Sequence, residues 1–243
     1  MVAEFVGSAL LVAIVVGSGI AAERLSPTDV GVQLLENSLA TAYGLGVLIL
    51  VFGPVSGAHF NPLVSLVDWL LGRRSRTGMN ARLLWRYAVV QISGAIAGAV
   101  LANVMFDHRA VEIATKERLS AGHLLAEVVA TAGLVVVIFT LARTGRAGLS
   151  AAAVGAYIGA AYWFTSSTSF ANPAVTIGRM FSDTFVGIAP TSVAPFIAAQ
   201  FVGAIVGLAL TVFLHPDAAR TADQAVIAHP AADTPTTPPT ELT

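Results

Sequence analysis

In Ser56-Gly57-Ala58-His59-Phe60-Asn61-Pro62, an asparagine and a proline open a short apolar segment, and Asn172-Pro173-Ala174 opens a second one in the same way. Asn favours the capping position of a helix, and Pro favours its first turn. The two segments, residues 62–71 and 173–181, are shorter than the roughly 20 residues that cross a bilayer. We therefore predict two half-helices that enter a membrane without crossing it, where protein or a water-filled cavity must surround their backbone.

The rest of the chain is far more apolar than a soluble domain. Charged residues make up 11% of it and hydrophobic residues 56%, whereas soluble domains carry about 25% charged residues. Apolar stretches long enough for transmembrane helices lie at about residues 2–22, 34–53, 83–106, 121–142, 149–164 and 193–214. The predicted fold is an all-α membrane protein with six transmembrane helices and two re-entrant half-helices.

The composition also excludes several classes of function. The net charge is −1 and no dense basic face is present, which argues against a nucleic-acid partner. The lack of cysteine excludes disulfides and cysteine chemistry. The histidines are scattered and no Ser, His and Asp set converges, so we expect neither an enzyme nor a metal site nor a cofactor.

Arginine-rich connections predict the orientation in the membrane. They join the second span to the third and the fourth to the fifth, and contain Arg73, Arg74, Arg76, Arg82, Arg86, Arg143 and Arg146. Because such connections stay in the cytoplasm, both chain ends are predicted to be cytoplasmic. Residues 1–214 form the predicted membrane domain, and the Pro- and Thr-rich residues 215–243 a disordered cytoplasmic tail.

The two halves of the chain, about residues 1–106 and 121–214, repeat one another. Three blocks recur in the same order: Ala3-Glu4-Phe5-Val6-Gly7-Ser8 as Ala126-Glu127-Val128-Val129-Ala130-Thr131, Asn61-Pro62-Leu63-Val64 as Asn172-Pro173-Ala174-Val175, and Gln91-Ile92-Ser93-Gly94 as Gln200-Phe201-Val202-Gly203. Because each half holds an odd number of spans, the second half must be inverted. Inverted repeats bring broken helices together near the middle of the membrane.

At these residues the chain resembles the major intrinsic protein family, the aquaporins and aquaglyceroporins, over about residues 1–214. The specific signatures are the two Asn-Pro blocks, although Leu63 replaces the usual Ala of the first. The residues after the second block look like a bacterial branch associated with arsenic resistance. The resemblance implies one pore per subunit and a homotetramer in the lipid bilayer of the bacterial cytoplasmic membrane.

The resemblance places the two half-helix starts at the centre of the pore. The pore signature consists of Asn61, Pro62, Leu63, Asn172, Pro173 and Ala174. The asparagine amides would donate hydrogen bonds to a passing solute, and the positive helix ends would repel cations.

The loops before the half-helices are expected to line the lumen with backbone carbonyl groups. The residues concerned are Gly57, Ala58 and His59 in the first loop and Ser169, Phe170 and Ala171 in the second. By the same resemblance, Glu4 and Glu127 would accept hydrogen bonds from these loops. Gln91 and Gln200 would support the loops or pack against them.

The predicted selectivity filter departs from the family pattern. Family channels usually place Arg directly after the second Asn-Pro-Ala, where this chain has Val175. Matched spacing adds Ser169 and Ala160. On the second span, counting back from Asn61 gives Thr41, whereas the resemblance of Tyr43-Gly44-Leu45-Gly46 to the glycerol-channel pattern gives Tyr43, and both alternatives stay open. Loss of a guanidinium removes a charge and five donors, so the constriction should be wider and less polar than in a water-selective channel.

Arg179 lies one helical turn beyond Val175. Two roles stay open for it. It could supply a displaced positive charge in the outer vestibule, with Asp183 as a candidate partner, or it could be an interfacial side chain that reaches toward water.

The predicted function is a passive channel for small uncharged solutes, namely glycerol-like polyols, urea, arsenite or other arsenicals, and water. A water-selective channel is one alternative. Another is a coupled secondary transporter, since inverted repeats and broken helices occur there too. A third is a non-conducting structural member.

Overall fold

A computed structural model of the protein describes residues 1–75 and 79–215. The regular structure in these two ranges is helical and consists of α1 (Val2–Leu25), α2 (Val30–Ser56), α3 (Pro62–Ser75), α4 (Ala81–Met105), α5 (Ala121–Arg143), α6 (Ser150–Phe164), α7 (Pro173–Arg179) and α8 (Pro190–Leu214), with a single 3-10 turn at Ala147–Leu149. The predicted all-α fold is confirmed. Arg76 and the predicted tail from residue 216 onward lie outside the described residues.

The six predicted spans are all present. Helices α1, α2, α4, α5 and α8, and the segment Ala147–Phe164, are long and apolar enough to cross a membrane. Helix α2 begins four residues earlier than its apolar stretch predicts, because the Asp29 side chain caps it by accepting a hydrogen bond of 3.0 Å from the Val32 amide.

The two short segments form helices that begin at Pro62 and Pro173 as predicted. Helix α3 extends to Ser75, beyond the predicted residue 71, and α7 ends at Arg179, before the predicted residue 181. Asn172 caps α7 by accepting hydrogen bonds from the amides of Ala174 and Val175. The Asn-Pro pairs thus fix where each half-helix starts.

The halves repeat one packing arrangement, in which α1 packs on α4 and α5 packs on α8. Glycines let the backbones approach closely at both contacts. A Cβ atom on Gly98 of α4 would lie 2.0 Å from the carbonyl oxygen of Ala9, and one on Gly207 of α8 would lie 2.6 Å from that of Ala132. Small residues at helix contacts permit this approach in membrane proteins.

Candidate functional site

Both loops that lead into the half-helices have unusual backbone geometry. Ala58 and Phe60 in the first loop have φ of 48°, and Ser169 and Ala171 in the second have φ of 51° and 47°. Non-glycine residues with positive φ cost free energy and persist only where the surroundings hold them. The two loops therefore need specific partners.

Glu4 is the partner of the first loop. Its carboxylate is fully buried and accepts hydrogen bonds from the amides of His59 (3.1 Å) and Phe60 (2.8 Å). It also accepts from the hydroxyl of Ser56 at 2.6 Å and from the side-chain amide of Gln91 at 2.7 Å. Four donors thus compensate for the burial of the charge inside the bundle.

Glu127 holds the second loop in the same way. Its carboxylate accepts from the amides of Phe170 and Ala171, both at 2.9 Å, from Ser167 at 2.7 Å and from Gln200 at 2.6 Å. The structure therefore places each glutamate against its loop, and each glutamine against that glutamate and a hydroxyl group of the half-helix.

Sequence reasoning missed the hydroxyl groups in these two networks. Ser56 and Ser167 bind the glutamates, while Ser65 and Thr176 accept hydrogen bonds from the glutamine amides at 3.1 and 2.8 Å. The signal was available, because each of these hydroxyl residues occupies matched spacing from Asn61 or Asn172 in the repeat.

The tips of the two half-helices meet. The side-chain amide of Asn61 donates to the carbonyl oxygen of Ala171, and that of Asn172 donates to the carbonyl oxygen of Phe60, both at 2.8 Å. Each asparagine oxygen caps its own half-helix. An Asn amide has two N–H donors, so each asparagine keeps one beyond this bond.

A cavity runs past these tips. Its apolar wall includes Leu11 and Val15 of α1 and Leu134 and Ile138 of α5. Its polar lining residues are Thr41, His59, Asn61, Tyr162, Ser169, Asn172 and Arg179. The cavity therefore combines hydrogen-bonding groups with apolar side chains. This lining suits a small solute that replaces its hydration water with hydrogen bonds to the protein.

The structure decides between the two alternatives on α2 and contradicts the predicted position on α6. Tyr43 is 72% exposed on the outer surface, whereas Thr41 lines the cavity. Ala160 is also exposed, and Ile158 and Tyr162 of α6 face the cavity instead. Two residues turn a helix by about 200°, so a small error in register moves a side chain to the opposite face.

Tyr162 is the residue that replaces Ala160 in the cavity wall. Its hydroxyl lies 3.2 Å from the hydroxyl of Thr41. Val175 and Ser169 line the same cavity, as expected. Four groups that surround the predicted constriction thus come from α2, α6, α7 and the second loop.

Not every predicted carbonyl position faces the lumen. Ala58, His59, Ser169 and Phe170 line the cavity. Gly57 and Ala171 do not line the cavity. Gly57 forms the left-handed C-cap of α2, and the carbonyl oxygen of Ala171 accepts a hydrogen bond from the side-chain amide of Asn61. The His59 ring nitrogen Nδ1 lies 2.9 Å from the Ser65 hydroxyl.

Arg179 is 1% exposed and lines the cavity, so it is not a side chain that reaches outward to water. Its Nε donates to the carbonyl oxygen of Val186 at 2.6 Å, and its guanidinium lies 3.5 Å from the centre of the Phe170 ring. The suggested pairing with Asp183 is wrong, because that carboxylate accepts from the amide and hydroxyl of Thr115 at 2.8 and 3.0 Å.

Comparison with known proteins decides the family. The family model described as major intrinsic protein matches residues 1–169. The chain belongs to the major intrinsic protein family. As a member, it is a multi-pass membrane channel that lets small neutral solutes pass passively, and it is not an enzyme.

Relatives agree with this assignment. Aquaglyceroporin AqpS of Rhizobium meliloti (strain 1021) is 47% identical over 209 residues, covering 86% of this chain and 87% of that protein. A glycerol uptake facilitator protein of Pseudomonas aeruginosa is 33% identical over 121 residues, covering 49% of this chain and 40% of that protein. The aquaglyceroporin structure from Plasmodium falciparum shares the major intrinsic protein fold, with a TM-score of 0.63 and 18% identity over 91% of this chain and 97% of that one.

Proposed function

We propose that this channel conducts small uncharged solutes larger than water, such as glycerol-like polyols, urea and arsenite or other neutral arsenicals, together with water. The observation that carries the proposal is Val175. Its isopropyl group faces the cavity at the position where the family usually places a guanidinium. A wall that is smaller and uncharged at this level leaves room for a solute with several heavy atoms.

The positive charge is displaced along the pore and not abolished. Arg179 follows Val175 by one helical turn, which is about 6 Å along the axis. The Val186 carbonyl and the Phe170 ring hold its guanidinium in a fixed position. Cations therefore meet a positive charge at the Arg179 end of the cavity, while neutral solutes meet an apolar side chain at the level of Val175.

Hydroxyl and amide groups give a polyol replacement partners for water. Thr41 and Tyr162 supply two hydroxyl groups in the cavity that Val175 lines, and Asn61 and Asn172 supply amide donors at the half-helix tips. Each solute hydroxyl can therefore exchange water for a protein partner in steps, which keeps the barrier to passage low.

Stopped-flow light scattering on proteoliposomes tests the proposal with water, glycerol, urea and arsenite. Val175→Arg should lower permeability to the larger solutes by at least about tenfold, a barrier increase of about 1.4 kcal/mol, and should affect water less. Val175→Leu is the control, since it adds bulk without charge. It should change the ratio of solute permeability to water permeability less than Val175→Arg does. Equal reductions for water and all solutes in Val175→Arg would contradict the role given to Val175, and a wild type that passes water alone would favour the water-selective alternative.

We also propose a homotetramer in the bacterial cytoplasmic membrane. Support comes from an exposed groove between α2 and α6, in which Tyr43, Val47 and Leu50 are 72%, 56% and 61% exposed beside Gly46. Large side chains next to small ones suit helix contacts between subunits. Native mass spectrometry of the detergent-purified channel tests this, and a monomer would contradict it.

The orientation with both termini in the cytoplasm is part of the same proposal. The first turns of α4 contain Arg82 and Arg86, α5 ends at Arg143, and Arg146 follows it; these residues lie at connections that this orientation keeps inside. Fluorescent protein fused to the C-terminus should fold and fluoresce, whereas alkaline phosphatase fused there should stay inactive. An active phosphatase fusion would reverse the orientation.

A further inference from the structure

A second cavity lies beside the Arg179 end of the first and is lined by three cationic side chains. These are Lys116 and Arg118, from the connection between α4 and α5, and Arg179. Arg118 is 7% exposed and Arg179 is 1% exposed. Arg179 lines both cavities, so the second one adjoins the mouth of the pore.

Consecutive backbone carbonyls hold the three cations in place. The carbonyl oxygen of Phe185 accepts from Lys116 Nζ at 2.9 Å and from Arg118 Nη2 at 3.1 Å. That of Val186 accepts from Arg179 Nε at 2.6 Å, and that of Gly187 accepts from Arg118 Nε at 2.7 Å. The Phe170 ring faces both guanidinium groups, with centroid distances of 5.2 Å to Arg118 and 3.5 Å to Arg179.

In the part of the chain that the structure describes, none of these three cations forms an ion pair with an acidic side chain, although Glu23 and Glu127 attract them from farther away. The ion pair of His108 with Glu112 lies elsewhere, since neither residue lines the second cavity. Asp183 is bound by Thr115, and Glu117 accepts from Thr191 at 2.6 Å and from Ser192 at 2.9 Å. Neutral carbonyls and one aromatic ring orient the three cations, and three positive groups outnumber the two more distant carboxylates, so the cluster keeps a positive net charge.

We propose that this three-cation cavity binds a small oxyanion, of the class of sulfate or phosphate, at the mouth of the pore. The carbonyls use the Nε atoms of both arginines, and the remaining guanidinium N–H groups and Lys116 can donate to an anion. Guanidinium and ammonium donors bind tetrahedral oxyanions through short charge-assisted hydrogen bonds. Arg179 borders both cavities, which gives a free anion a route to the site from the pore.

Calorimetric titration of the purified full-length channel with sodium sulfate at low ionic strength tests the site. The wild type should bind sulfate, and Lys116→Gln should weaken binding by about tenfold, the effect of one charge-assisted hydrogen bond. Arg109→Gln is the matched control, because it removes an exposed cation from the same connection and should leave the affinity unchanged. The titration measures binding and not flux, so it stands whether or not polyols cross the pore.

Lys116→Arg is a second control, which tests whether any change at this position disrupts the structure. It keeps the positive charge and should therefore still bind sulfate. Absence of sulfate binding to the wild type would overturn the proposal, as would equal weakening by Lys116→Gln and Arg109→Gln. Stabilisation of the wild type against heat by short-chain phosphatidylglycerol, without any effect of sulfate, would also overturn it in favour of a lipid headgroup.

Discussion

The side-chain amide of Asn61 donates a hydrogen bond of 2.8 Å to the carbonyl oxygen of Ala171, 110 positions away in the chain. Asn172 returns a bond of the same length to Phe60. Each half-helix tip is therefore fixed by the loop of the other half, and a shift of one loop displaces the other. The position of the polar strip in the cavity depends on both halves.

The buried carboxylates should be sensitive to the loss of one acceptor oxygen. In Glu4→Gln the new NH₂ group would face either Ser56 and His59 or Phe60 and Gln91, all of which are donors to Glu4. A buried backbone amide without a partner costs about 1–3 kcal/mol, so we expect a fall in the thermal midpoint of the detergent-solubilised channel and loss of solute flux. Glu112→Gln, on a partly exposed pair with His108, should change neither. Equal stability of the two variants would show that Glu4 does not hold the loop.

Close helix contacts should not tolerate a methyl group on Gly98. A Cβ atom at Gly98 would lie 2.0 Å from the carbonyl oxygen of Ala9. This oxygen belongs to the backbone of α1 and cannot move aside by a side-chain rotation. Gly98→Ala should therefore lower stability by about 1–3 kcal/mol or more, as overpacking does. Gly148→Ala serves as the comparison, because nothing lies within 4 Å of its Cβ position. The measurement is the fraction of monodisperse channel left after heating, and matching curves would refute the packing argument.

The Tyr162 hydroxyl should matter for polyols more than for water. Tyr162→Phe removes a hydroxyl that lies in the cavity 3.2 Å from that of Thr41. A polyol then lacks one replacement partner at this level, and since one hydrogen bond contributes about 1 kcal/mol, glycerol permeability should fall about fivefold relative to water. Tyr43→Phe makes the same change on the outer surface and should leave the ratio unaltered. A ratio that responds equally to both changes would remove Tyr162 from the constriction.

Sulfate binding at the three-cation cavity should weaken in mildly alkaline solution. Burial, followed by the charges of Arg118 and Arg179, lowers the pKa of Lys116 from 10.5 to about 8, while Glu23 opposes the shift. Lys116 is charged below this pKa and neutral above it, so the affinity should fall several-fold from about pH 7 to about pH 9, while sulfate stays divalent. Calorimetric titrations of Lys116→Arg should show a much smaller fall. The same fall in both proteins would assign the titration to another group.

The helices and the half-helix starts could be predicted because they depend on local signals. The length of apolar stretches gave the spans, and Asn61 and Asn172 gave the two caps. The family resemblance implied that Glu4 and Glu127 accept hydrogen bonds from the loops, and an acid in an apolar span needs donors nearby.

Spacing from Asn61 gave the cavity-lining residue of α2, Thr41, whereas the motif resemblance gave Tyr43, and spacing failed on α6, where it gave Ala160 and not Tyr162. The register depends on how many residues the adjoining loops contain, and positions two residues apart face opposite sides of a helix. The three-cation cavity was missed for another reason. Lys116 and Arg118 lie in a connection without periodicity, and only its packing against residues 185–187 brings them to Arg179.

The division of partners between the halves bears on how the channel is made. Every donor to Glu4 comes from residues 56–91 and every donor to Glu127 from residues 167–200. A nascent chain can therefore form all four hydrogen bonds to Glu4, its first buried acid, soon after Gln91 leaves the ribosome. Asn61, in contrast, cannot form its hydrogen bond to the Ala171 carbonyl until residue 171 has been synthesised, so the contact between the two half-helix tips forms late in biogenesis. A chain truncated before residue 171 lacks this contact.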